Sequence, residues 1–219
     1  MSTQTADAVK SPQEAPAQSP REISPRMFDN PILEWGSRVH PIVPPLLYLP
    51  VISFLLSVAV NAKELSVPAV IGVFLLGVAF WSLTEYLLHR FIFHLRPDNE
   101  WGRKMHFIIH GVHHDHPNDK LRLVMPPAVS IPLAALFLLA FSALFGDAAF
   151  PLFAGFIAGY LTYDYTHYYV HHFVPRSRFG KQLREAHMRH HFQDHRYGFG
   201  VSSPLWDAVF RTMPRLRRR

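Results

Sequence analysis

Between Glu85 and Phe210 the sequence sets ten histidines in four clusters: His89 and His94; His110, His113 and His114; His167 and His171; His187, His190 and His191. Written as patterns, these are H-x4-H, H-x2-HH, H-x3-H and H-x2-HH. Imidazole is the commonest side-chain metal ligand, and its neutral nitrogen suits zinc, copper, iron and nickel. One tetrahedral zinc takes four ligands. Ten imidazoles divide instead into two sets of five, which points to two metals side by side with coordination positions left for oxygen species. Residues three and four apart share a helix face. His110, His113 and His114 are therefore expected to point one way, as are His187, His190 and His191, and as are His167 and His171. His89 and His94, five apart, diverge on a regular helix. Either the helix ends between them or they serve different metals.

The elements that carry these clusters are apolar. Four spans read as helices long enough to cross a bilayer, at about residues 42–60, 67–88, 128–145 and 148–166. The first would reach about 28 Å, close to the ~30 Å hydrocarbon core. The second stays helix-compatible to His94, so its last turns, with Glu85, His89 and His94, must project beyond the lipid. The fourth turns polar and aromatic at Tyr160 to His172, again placing histidines on a protruding end. Short connections at Asn61–Ser66 and Gly146–Asp147 make two hairpins. Residues 1–30, rich in Ser, Gln, Ala and Pro, read as a disordered arm.

Charge sets the orientation. The net charge of +6 comes from 22 Lys and Arg, and of these only Lys63 lies in the two connections opposite the histidines. By the positive-inside rule, both termini and every cluster face the cytoplasm. Arg215 and Arg217 to Arg219 are expected at anionic headgroups. Basic residues flank apolar segments and form no aromatic-interleaved groove, which argues against nucleic acid. The absence of cysteine excludes disulfides and thiolate metal sites. The expected fold is all-α: an integral membrane four-helix bundle with a cytoplasmic, histidine-rich helical cap.

A redox-active metal pair at a membrane surface can activate dioxygen, which zinc cannot do. Iron can. A substrate arriving from between the helices would be a lipid chain, so hydroxylation or desaturation of an unactivated C–H bond is the expected reaction class. Zinc in a recovered protein would mark substitution during expression.

The run His110-Gly111-Val112-His113-His114, with Pro117, Asp119 and Arg122-Leu123-Val124-Met125-Pro126-Pro127, resembles the fatty acid 2-hydroxylase branch of the fatty acid hydroxylase superfamily. So do Tyr163-Asp164-Tyr165-Thr166-His167-Tyr168-Tyr169, His187-x2-His190-His191 and Gly198-Phe199-Gly200. The resemblance covers Glu85 to Phe210 and makes residues 31–219 one membrane-bound hydroxylase domain. It implies a di-iron enzyme that inserts one oxygen atom at C2 of a fatty acyl chain. It also implies metal ligation by His89, His94, His110, His113, His114, His167, His171, His187, His190 and His191. Dioxygen and two electrons complete the implied cycle. No His-Pro-Gly-Gly haem motif occurs, so the expected donor is a separate protein such as cytochrome b5 or a ferredoxin. Rival outcomes are desaturation, sterol oxidation or lipid headgroup hydroxylation on the same scaffold, and a non-enzymic metal-handling membrane protein.

Asp164, three before His167, and Glu85, four before His89, are the candidate carboxylates for accepting a ligand imidazole's second N–H. Asp119 and Arg122 are expected to pair and fix a loop. His106 is expected to share the His110 face, His116 and His172 to sit beside the clusters or in solvent, and His40 to carry no chemistry. His195 is left unassigned by its spacing.

Overall fold

A computed structural model describes residues 24–214, which contain helices and no strand. The long helices are α2 (Val43–Ser57), α3 (Val67–Leu87), α6 (Pro127–Phe145) and α7 (Ala149–His172). The other helices are α1 (Pro31–Gly36), α4 (Glu100–His106), α5 (Val112–Asp115), α8 (Arg178–Phe192) and α9 (Leu205–Val209). Proline stands in the first turn of α2, α3 and α6, where its missing N–H costs nothing.

Three apolar helical segments are long enough to cross a membrane: Val43–Ala62, Val67–Phe93 and Pro127–His172. The third and fourth expected spans thus run on as one 46-residue stretch. Straight, it would be about 69 Å long, over twice the hydrocarbon thickness. It is not straight. A single 3-10 turn at Gly146–Ala148 breaks it, and α6 folds back onto α7.

α7 is the hub, packed against α2, α3 and α6. Its core neighbours are mainly aromatic, with Trp81 edge-on to Phe156 at 5.0 Å and to Tyr160 at 5.3 Å. Leucines such as Leu75, Leu76, Leu136 and Leu139 point outward instead. An apolar face on both sides of a helix is what a lipid-facing bundle requires.

The α3–α7 contact depends on absent side chains. A Cβ at Gly155 would lie 1.9 Å from the Phe74 carbonyl oxygen, and one at Gly77 would lie 2.1 Å from that of Leu152. Backbone cannot yield as a flexible side chain can, so small residues set the approach of the two helices. Gly155→Ala is expected to lower stability by about 1–3 kcal/mol through overpacking. A thermal midpoint in detergent equal to that of the parent protein would refute this.

The expected arm falls mainly on residues 1–23, which lie outside the described residues, as do residues 215–219 with their arginines. Ser24–Asn30, expected within that arm, are instead tied down. The Ser24 backbone N–H and hydroxyl donate to Asp119 Oδ2 at 2.9 and 2.6 Å, and the Met27 N–H donates to Glu34 Oε2 at 2.9 Å. Arg122 and Asp119 do approach, but only to 4.0 Å. Arg122 makes its close contacts to Glu34 at 2.5 Å and the Ser37 hydroxyl at 2.9 Å. The pair therefore closes a knot that includes the N-terminal segment, because buried charges need more than one partner each.

Candidate metal centre

α3 does not end as a regular helix. Its last turn, Leu88–Phe93, is a π-helix. Hydrogen bonds there run from residue i to i+5, so side chains five apart stack on one face. This resolves the divergence expected of His89 and His94, which face the same site. Another π-turn, Phe107–Gly111, separates α4 from α5. His106 joins neither set.

The ten imidazoles form two groups. His89, His94, His110, His114 and His190 make one; His113, His167, His171, His187 and His191 make the other, with one ring nitrogen from each member of a group within 4.8 Å of the rest. Each H-x2-HH cluster is divided between them. The outer pairs, His110 with His114 and His187 with His191, are four apart and stay together, while His113 and His190 cross to the opposite group. The expectation that each triple points one way is corrected here. Neighbouring residues on a helix are about 100° apart, so a helix passing between two sites feeds both.

Within the groups, Nε2 atoms meet Nε2 atoms. The separations are 2.9 Å for His110 and His114, 2.9 Å for His94 and His190, 2.7 Å for His171 and His187, and 3.0 Å for His113 and His191. The two groups lie side by side, with the His114 and His191 rings stacked at 4.1 Å.

Two backbone carbonyls fix which nitrogen faces inward. His89 Nδ1 donates to the Phe199 carbonyl at 2.6 Å, and His190 Nδ1 donates to that of Tyr197 at 2.8 Å. Their Nε2 atoms then carry bare lone pairs, and the buried His89 Nε2 has no partner. Lone pairs facing one another across 3 Å repel unless a cation sits among them. The donor set therefore fits metal ions, and both groups could hold one.

The carbonyls are presented by a loop that the sequence reading undervalued. Gly198 adopts φ +77°, a conformation that favours glycine. Buried Asp207 accepts from the Phe199 and Gly200 N–H groups at 3.0 and 2.7 Å, and from the Thr212 hydroxyl at 2.7 Å. Thr212 in turn meets the Tyr86 hydroxyl at 2.9 Å. Only the Gly198-Phe199-Gly200 motif hinted at this support. Asp207 and Thr212 had no distinguishing spacing.

The two expected carboxylates touch no ligand candidate. Glu85 accepts from the Val201 and Ser202 N–H groups at 2.7 and 2.9 Å and from the Ser202 hydroxyl. It serves His89 only by holding the far side of the same loop. Asp164 is buried with Oδ2 unpartnered, and neither nitrogen of His167 has a partner. Sharing a helix face does not suffice for contact: the Glu85 carboxylate is drawn instead to the three donors of Val201 and Ser202. His116, His172 and His195 belong to neither group, and His195 Nε2 meets Arg96. His40 is exposed, its Nδ1 accepting from the Ile42 N–H at 3.2 Å.

Burial, reinforced by neighbouring imidazoles, holds His110, His113, His187 and His191 well below the ordinary histidine range. It pushes His94 to about 3, His114 to about 2 and His190 to about 4. These rings are neutral at pH 7, as metal ligation requires. The unfolded chain protonates its histidines near pH 6.5, so it binds more protons than the folded chain below that value. Metal-free protein is thus expected to lose stability as pH falls from 6.5 toward 4, by about 1.4 kcal/mol per pH unit for a fully buried ring such as His190. A flat thermal midpoint across that window would contradict the buried, neutral set.

A family model described as fatty acid hydroxylase matches residues 74–212, a stretch that holds all ten histidines. The chain belongs to the fatty acid hydroxylase family. This hydroxylase is 39% identical to the dihydroceramide fatty acyl 2-hydroxylase FAH1 of Arabidopsis thaliana, over 87% of this chain and 80% of that protein. It is 40% identical to the ceramide very long chain fatty acid hydroxylase SCS7 of Saccharomyces cerevisiae, over 78% of this chain and 44% of that one. The solved structure of full-length scs7p, in which only the hydroxylase domain is visible, superposes with a TM-score of 0.79 at 38% identity. That superposition covers 85% of this hydroxylase and 70% of the solved chain.

Proposed function

We propose that this chain is a membrane di-iron monooxygenase that hydroxylates C2 of a fatty acyl chain, with two electrons drawn from a separate donor protein such as cytochrome b5 or a ferredoxin. One observation carries the reading. Two adjoining groups of five neutral imidazoles lie in a chain whose relatives are fatty acyl 2-hydroxylases. His89, His94, His110, His114 and His190 would hold one iron, and His113, His167, His171, His187 and His191 the other. When bound, the irons supply activation of dioxygen and the oxidising power. Overall, one C2–H bond breaks and a C–O bond forms, while the second oxygen atom leaves as water with two electrons and two protons.

The protein's part is positioning and exclusion. The Phe199 and Tyr197 carbonyls hold His89 and His190 in the tautomer that turns Nε2 inward. The aromatic core along α3 and α7 keeps water from entering through the bundle. In this reading α2, α3, α6 and α7 are four crossings, and the arginine-rich ends that bear the histidines face the cytoplasm.

Anaerobic loading with iron, followed by reductant, dioxygen and an isotope-labelled fatty acid, tests the reading. A gain of one oxygen at C2 and two irons per chain are expected. Loss of two hydrogens, oxygen at another position or a single iron would each sink part of it.

A further inference from the structure

The short helix α9 is tied to α3 before α3 has left its apolar stretch. The Trp206 indole N–H donates to the Ser82 hydroxyl at 3.0 Å, and the Phe210 ring stacks on that of Tyr86 at 5.1 Å. The apolar run of α3 starts at Val67, just after Lys63 and Glu64. At 1.5 Å per residue, Ser82 stands about 22 Å beyond that start, inside the ~30 Å hydrocarbon core. Leu75 and Ile71, seven and eleven residues earlier and so on the Ser82 face, are both exposed.

α9 continues that surface. Leu205, Val209 and Phe210 are turned outward, and Met213 just beyond is exposed as well. Asp207, the one acid in the helix, points the other way and is buried. Water or a soluble partner would meet such a patch only above the hydrocarbon layer, whereas its anchor on Ser82 lies below that boundary. The neighbour that fits is therefore lipid.

The same helix supports the first histidine group. Asp207 accepts from the Phe199 and Gly200 N–H groups, the Thr212 N–H donates to the Asp207 carbonyl at 2.8 Å, and the Gly198 N–H donates to that of Thr212 at 2.8 Å. α9 and the 197–202 loop are thus one hydrogen-bonded unit. Whatever holds α9 also holds the carbonyls that orient His89 and His190.

We propose that α9 lies in the acyl layer of the leaflet nearest the histidines and that lipid contact there clamps the 197–202 loop, so that the metal affinity of the first histidine group depends on the bilayer and that of the second does not. The inference needs from the reading above only that α3 crosses the membrane, and it is independent of where oxygen enters the substrate.

The chain has no cysteine, so Val209→Cys, Leu75→Cys and Lys181→Cys each take one spin label cleanly. The labelled full chain is loaded with zinc, which is diamagnetic, and placed in phosphatidylcholine nanodiscs. Collision with lipid-soluble oxygen is then compared with collision with water-soluble chromium oxalate. Labels at Val209 and Leu75 are expected to favour oxygen several-fold, and the label at Lys181, exposed on α8, to favour the chromium complex. A Val209 label that behaves like the Lys181 one, with Leu75 still in lipid, would overturn the proposal alone. A Leu75 label in water would sink the crossing of α3 and the proposal with it. Val209→Asp is expected to release the first-group metal at about tenfold lower chelator concentration, with the second group unchanged and Val209→Leu like the parent. Unchanged release from Val209→Asp would overturn the clamp, and the label readings stand even if that variant fails to fold.

Discussion

Replacing His113 by alanine is expected to abolish turnover and to lower bound metal, while His40→Ala is expected to leave both essentially unchanged. His113 is buried in the second group, its Nε2 3.0 Å from that of His191 and its ring 4.5 Å from that of His167. Alanine there removes one of the five imidazoles of that group. His40 is exposed, and its loss costs one weak local contact, within about 0.5 kcal/mol. Iron per chain and product per minute, compared at matched size-exclusion profiles, decide the matter. Equal activity in the two variants would refute the assignment of the ten ligands.

The second large effect is expected at Asp207, which touches no histidine. Asp207→Ala leaves the Phe199 and Gly200 N–H groups without their acceptor, at about 1–3 kcal/mol each. It also frees the Phe199 carbonyl that orients His89. Loss of such support commonly lowers metal affinity by about 10- to 100-fold. The loss is expected to be one-sided, because His89 and His190 both belong to the first group and both depend on this loop. Titration of metal-loaded protein with a chelator should turn biphasic, with the metal of the first group leaving early, and Asp207→Asn should recover part of the difference through its remaining oxygen. Simultaneous release from both groups would mean that Asp207 acts only on overall folding.

The π-turn at Leu88–Phe93 shows what residue spacing can and cannot convey. The H-x4-H pattern marks both histidines as ligand candidates but does not reveal that an extra residue per turn would stack them. The four-residue offset of His106 from His110 does not bring it into either group. Asp164 and Glu85 were sought beside the histidines that follow them. In the folded protein Glu85 accepts instead from the loop that carries Phe199.

The sequence alone determined which ligand types are available and the apolar frame beside them: ten clustered imidazoles, no thiolate, and long apolar helices, two of which, α3 and α7, run on into histidines. Those features are local, since composition, hydropathy and helical offset depend on residues near one another in the chain. Only the tertiary structure decided which five imidazoles make each group, with His113 and His190 exchanged between them, and which carbonyls orient His89 and His190. These depend on how α3, α5, α7, α8 and the 197–202 loop converge, and packing between segments far apart in sequence leaves no periodicity to read.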